Sequence, residues 1–124
     1  MRDLSNSRVL TRAEALVDAA YLFARLLPPS ERFGLKPQIE RAAVSVALNI
    51  GEGLGRGTDG DLERFLRIAA GSAAEIEIVT RLACRLHGIG DDAASDVTRE
   101  LTSVRKMLSR FVQSVQTRRR GKTP

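Results

Sequence analysis

The polar residues best placed to do chemistry lie in one stretch of the chain, residues 38–56. Gln38, Arg41, Ser45, Asn49, Glu52 and Arg56 step by three, four, four, three and four, so on a helix they form one wholly polar stripe. Ile39, Ala43, Val46, Ile50 and Leu54 form an apolar face on the same helix. A solvated helix face is usually a loose mixture of long charged side chains. This stripe instead holds short polar groups and single charges flanked by Ala and Val. That pattern predicts a helix buried on more than one side, with its polar groups paired.

Catalysis and metal binding both find too few residues. Glu52, Glu75 and Glu77 could exchange protons, but no nucleophile or metal motif accompanies them. A di-iron bundle needs Glu-x-x-His on two helices, whereas His87 is the sole histidine and no Glu precedes it by three. Cys84 is the only cysteine, which rules out an internal disulfide or a cysteine cluster, and it sits in an apolar helical run as a small buried hydrophobe. The run GEGLGRG has glycines suited to a phosphate loop. It ends a helix instead of following a strand, and it lacks the Gly-Lys-Ser/Thr ending. No enzyme site, metal or cofactor is expected.

The elements that carry the stripe are helices. With 124 residues, 43% of them apolar and only five aromatic, the core must be aliphatic. Spacings of three and four mark helices at about 8–27, 36–55, 59–87 and 92–117. Pro28-Pro29 stops the first helix, and Pro37 suits the first turn of the second. Phe33 and Leu35 are expected to fold back from the connecting loop onto the core, and Ser30 could cap a short turn. Gly51, Gly53, Gly55 and Gly57 either admit a close backbone or let the second helix unwind. Thr58, Asp59 or Asp61 caps the third helix, and Gly88 and Gly90 end it. Its seam is Leu62, Leu66, Ala69, Ala73, Ile76, Val79, Ala83 and Leu86; the fourth helix carries Val97, Leu101, Val104, Leu108, Phe111 and Val115. A second apolar set on the third helix, Phe65, Ile68, Ile78 and Leu82, points to subunit contact. The fold class is all-α, an antiparallel up-down-up-down four-helix bundle forming one domain over residues 1–117. No apolar run spans a membrane and no signal-peptide core is present, so a reduced cytoplasmic setting is expected.

Charge divides unevenly along the chain. Lys and Arg number 20 against 15 acids; four of the basic residues and none of the acids lie in residues 118–124, which leaves a nearly balanced body. Those residues are expected to form a flexible basic tail. Seventeen of the basic residues are Arg, whose planar fork suits phosphate.

In a hairpin turning near Gly57, facing residue numbers on the second and third helices sum to about 115. Arg41 then pairs with Glu75, beside a tight crossing of Ala42, Ser45, Gly71 and Ser72. Glu52 falls near Glu63 and Arg64. The expected structural network and interface comprise Gln38, Arg41, Ser45, Asn49, Glu52, Arg56, Ser72 and Glu75.

Two runs, ERFGLKPQIERAAVSVALNIGEGLGR and DLERFLRIAAGSAAEIE, carry a specific family pattern. In it stand Glu31, Arg32, Gly34, Leu35, Gln38, Arg41, Ala42, Ser45, Asn49, Ile50, Glu52, Gly53 and Arg56, then Phe65, Leu66, Ala69, Gly71, Ser72 and Glu75. Over about residues 8–115 the chain resembles the bacterial four-helix bundle proteins first noticed in 23S ribosomal RNA intervening sequences. It departs from the pattern at Lys36-Pro37, where small hydroxyl residues are common, at Glu40, where a basic residue often sits, and at Gly51, where Ala is usual. The resemblance implies a barrel-like homopentamer. It also implies kinship with the accessory protein of diversity-generating retroelements, which binds nucleic acid and a reverse transcriptase. It brings no catalytic residues.

The leading functional expectation is a non-enzymatic oligomeric module that binds RNA or DNA through Arg105, Lys106, Arg110, Arg118, Arg119, Arg120 and Lys122. Five tails would together bring roughly twenty positive charges to one assembly. The alternative is a protein–protein scaffold, for example an accessory subunit of a reverse transcriptase.

Overall fold

The structure, a computed structural model, describes residues 7–121. Its elements are α1 (Arg8–Ala24), a short 3₁₀ turn (Pro29–Glu31), α2 (Leu35–Gly55), α3 (Asp59–His87) and α4 (Asp91–Gly121). α1 packs on α2, α2 on α3 and α3 on α4, and α1 closes the ring against α4. This is the antiparallel four-helix bundle that the periodicities predict.

Each helix begins and ends for a local reason. The Ser7 side chain accepts the Leu10 N–H at 3.1 Å and caps α1. α1 ends at Ala24, three residues earlier than its apolar spacing predicts. There the chain tightens into i→i−3 bonds, Arg25 N to Leu22 O, Leu26 N to Phe23 O and Leu27 N to Ala24 O. Pro28 forces this by disfavouring helical geometry in Leu27, yet Leu27 stays buried. Thr58 caps α3 by accepting the Asp61 N–H at 3.2 Å. Gly88, at φ 64°, ends α3 in the left-handed conformation that a side chain resists.

The apolar seams meet as read. Leu16, Ile39, Ile50, Leu62, Leu66, Ile76, Val104, Leu108 and Val115 are among the fully buried side chains, each contributing about 1.5–3 kcal/mol relative to exposure. α2 and α3 pack most extensively against each other, and Gly53 shows how closely. A Cβ there would lie 3.1 Å from Phe65 Cβ and 3.2 Å from Leu62 Cδ1. α2 does not unwind at its glycines but continues through Gly55.

Three expectations need correction. Residues 118–121 are not a flexible tail but the last turn of α4, held there by ion pairs to α3 described below; residues 122–124 lie outside the described residues. Phe33 does not fold back onto the core. It is 85% exposed in the turn before α2, whereas Leu35, the first residue of α2, packs against the core as expected. Leu86 stands at the end of its seam beside Gly88 and is exposed. Among the described residues no helix is long and apolar enough to cross a membrane.

Candidate nucleic-acid interface

The middle of the polar stripe hydrogen-bonds to α3, and at its C-terminal end Arg56 lies over the ring of Phe65 on α3. Ser45 Oγ and Ser72 Oγ are hydrogen-bonded at 2.8 Å. Asn49 Nδ2 donates to Ser45 O at 2.8 Å and to Ser45 Oγ at 3.1 Å. The expected Arg41–Glu75 ion pair is not formed; both residues are exposed, as are Gln38, Glu52 and Arg56. At about 100° per residue the stripe is centred roughly a third of a turn from the core-facing side of α2. Ser45 and Asn49 therefore reach the α2–α3 groove while Arg41 swings away from it. Gly71 is not at the crossing either, since a Cβ there would meet nothing within 4 Å. Arg56 reaches back to Glu52 at 3.7 Å, and the guanidinium groups of Arg56 and Arg64 lie over the Phe65 ring at 5.0 and 4.4 Å.

The outward side of α2 bears a shallow groove of about 600 Å³ lined by Tyr21, Pro37, Glu40, Arg41, Val44, Ser45, Leu48 and Asn49. Leu48 within it is 65% exposed. On α3, Ile68 and Ile78 are also exposed, while Phe65 is buried within the chain.

The basic residues on α4 divide into engaged and free. Arg118 forks onto Asp59, with Nη2 to Oδ1 at 3.0 Å and Nε to Oδ2 at 3.4 Å. Arg119 Nη1 donates to Glu63 Oε1 at 2.8 Å. Glu63 also accepts from Arg67 at 2.9 Å and from Gln116 at 3.3 Å. The Arg119 hydrogen bond, then that of Arg67, holds the Glu63 carboxyl below its usual range against the opposing effect of burial. These contacts clamp the end of α4 onto the start of α3, where cations also suit the helix C-terminus. Arg105 pairs with Glu77. Lys106, Arg110 and Arg120 have no carboxylate partner among the described residues. They lie on the side of α4 opposite the buried Val104, Leu108 and Val115. Lys122 falls outside the described residues.

One constellation escaped the sequence reading. Glu31 Oε1 accepts the Leu35 N–H at 2.9 Å, capping α2 from within the preceding turn, and its Oε2 lies 2.7 Å from His87 Nε2. The Leu35 N–H first, then His87, hold the Glu31 carboxyl below its usual range. A Cβ at Gly34 would collide with Glu31 Oε1 and displace this cap. A Glu four residues before the helix start was the available signal. The contact with His87 spans 56 positions and left no local trace. Cys84 is partly buried. Burial, and then Asp91, push its thiol up, which disfavours the thiolate. Among the described residues no three His, Cys, Asp or Glu are grouped to hold a metal ion.

No curated protein matched the chain in a sequence comparison. A family model did. The four-helix bundle, with its polar second helix, is matched over residues 5–110 by the model described as 23S rRNA-intervening sequence protein, and the chain belongs to that family.

Proposed function

We propose that this protein is a non-enzymatic, cytoplasmic, oligomeric module that binds RNA through the outer face of α4. The observation that carries this reading is the set Lys106, Arg110 and Arg120. These three cations span about 21 Å of one exposed helix face at 1.5 Å per residue, and no carboxylate among the described residues is paired with them. Free cations aligned along a rigid helix bind phosphates by releasing counterions, which gives affinity that falls steeply with salt and depends little on sequence. Arg105, Arg118 and Arg119 lie on the same helix but already face Glu77, Asp59 and Glu63, so they serve the bundle first.

Self-assembly completes the proposal. The exposed Leu48 and Tyr21 in the α2 groove, and Ile68 and Ile78 on α3, are apolar side chains that a second copy would cover. A homopentamer, the assembly implied by the family resemblance, would repeat the α4 face five times and raise affinity through multivalency.

The test is a titration against structured RNA at two salt concentrations, using the full chain and the variants Lys106→Ala, Arg110→Ala and Arg120→Ala. Each variant is expected to weaken binding and to reduce the magnitude of the salt slope by about one. Binding indifferent to salt and to all three substitutions would overturn the reading. It would favour the alternative, a protein–protein scaffold such as a polymerase accessory subunit, for which the same apolar groove is the supporting observation.

A further inference from the structure

Phe33 is the most exposed large apolar side chain among those described, at 85%. It stands on a loop that is unusually well tied for a connection between helices. Glu31 N–H bonds to Pro28 O at 2.9 Å, Arg32 N–H to Pro29 O at 3.1 Å and Gly34 N–H to Glu31 O at 2.9 Å. The Glu31 carboxylate fastens the loop to Leu35 at one oxygen and to His87 of α3 at the other, and two prolines fix the backbone leading into it. The ring is therefore presented to solvent by a rigid support. The Arg32 guanidinium lies over the ring, 4.6 Å from its centroid, and most of the ring stays open.

The surroundings of the ring select its occupant. Among residues 28–36 the single acid is Glu31, which is spent on Leu35 and His87. Arg32 and Lys36, on either side of Phe33 in the chain, have no carboxylate partner among the described residues. A flat apolar ring among unneutralised cations complements a ligand with a π-face and a negative charge on one short unit. An unpaired nucleotide has both, the base to stack on the ring and the phosphate to meet Arg32 or Lys36. A neutral apolar partner would leave those cations unanswered.

We propose that Phe33 is a base-stacking platform for single-stranded RNA at the end of the bundle formed by the α1–α2 and α3–α4 connections. This site deepens the RNA-binding reading and rests on it. α4 engages phosphates on any strand, while Phe33 gives a preference for unpaired bases.

The test uses the full chain at low salt with a single-stranded oligoadenylate, an abasic strand of equal length and charge, and a duplex. The chain contains no Trp, so Phe33→Trp introduces a single fluorescent reporter at the platform. Oligoadenylate is expected to quench its emission and the abasic strand to leave it unchanged. Phe33→Leu keeps an apolar side chain but removes the π-face, and at such an exposed position it does not threaten folding. It is expected to weaken oligoadenylate binding roughly 5- to 100-fold and to leave duplex binding unchanged. Equal binding of the normal and abasic strands, with no effect of Phe33→Leu, overturns the stacking site while the RNA reading stands. Absence of binding to every strand overturns both. If the emission of the Phe33→Trp variant shifts with protein concentration alone, without RNA, the proposal is overturned in favour of a second copy covering the ring.

Discussion

Two glycines one half-turn apart on α2 should respond to the same substitution with opposite sign. Replacing a helical glycine by alanine restores about 1 kcal/mol of helix propensity wherever the added methyl has room. At Gly51 a Cβ meets nothing within 4 Å, so Gly51→Ala is expected to stabilise the protein by about 0.5–1 kcal/mol. At Gly53 the methyl would lie 3.1 Å from Phe65 Cβ, 3.2 Å from Leu62 Cδ1 and 3.4 Å from the Leu62 carbonyl oxygen. Two of these atoms belong to the backbone or to the stem of a side chain, which cannot rotate aside. α2 and α3 must separate, and overpacking of this kind costs about 1–3 kcal/mol. Subtracting the propensity gain leaves Gly53→Ala destabilised by about 1 kcal/mol, with an upper bound near 2. At roughly 4 °C per kcal/mol the two variants should melt about 6–8 °C apart. Thermal and urea unfolding followed by helical circular dichroism measures this, with every variant at one protein concentration because association shifts the midpoint. A Gly53→Ala protein as stable as its parent would refute the close approach of α2 and α3. A destabilised Gly51→Ala would place another copy's backbone against that outward face.

The Ser45–Ser72 hydrogen bond should show a coupling of about 0.5–1.5 kcal/mol in a double-mutant cycle of Ser45→Ala and Ser72→Ala, read by urea unfolding, whereas Arg41→Ala and Glu75→Ala should add without coupling. Glu31→Gln should lower the unfolding midpoint at neutral pH, and its deficit relative to the parent should close in acid. The folded Glu31 carboxyl sits below its ordinary value of 4.5, so its contribution is present above that pH and disappears as pH falls through the folded value. Glu63 titrates in the same sense, and Glu63→Gln should behave alike. Removing residues 118–124 should cost little global stability, since the Arg118 and Arg119 side chains are about half exposed and water can replace them at the carboxylates. It should, however, abolish hydrogen-exchange protection in the last turns of α4.

The parts of the fold legible in the sequence are those set by local period. Val97, Leu101, Val104, Leu108 and Val115 repeat at helical spacing, and all are buried, because a helix buries whatever its repeat places on one side. The caps of α3 were legible to within a turn for the same reason: Thr58 stood among three candidates with Asp59 and Asp61, and Gly88 beside Gly90. What the sequence hid depends on azimuth and long-range register. The hairpin register brought Ser45 to Ser72, but the rotation of α2 about its own axis carried Arg41 outward, and no spacing rule encodes that rotation. Arg118 and Arg119 read as tail because no acid lies near them in the chain; their partners Asp59 and Glu63 are 59 and 56 positions away. Phe33 reads as core because it is apolar, yet it falls in the turn before α2 and is exposed, whereas Leu35 begins the helix and packs inward.

The net charge of +5 understates how unevenly the chain spends its charge. At the α2–α3 connection the acids Asp59 and Glu63 are answered by Arg118 and Arg119 from the far end of α4, so two cations of the most basic segment are engaged there. The cations without a carboxylate partner among the described residues include Lys106, Arg110 and Arg120 along α4, and Arg32 and Lys36 next to Phe33 in the chain. These two sets differ in what they can read. A line of cations on a helix face senses only phosphates, whereas cations around an open aromatic ring also sense whether a base is free to stack. On the proposed reading, the protein would distinguish paired from unpaired RNA through one ring and take most of its affinity from another surface. Substitution at Phe33 should therefore change strand preference, and substitution on α4 should change the salt dependence common to all strands.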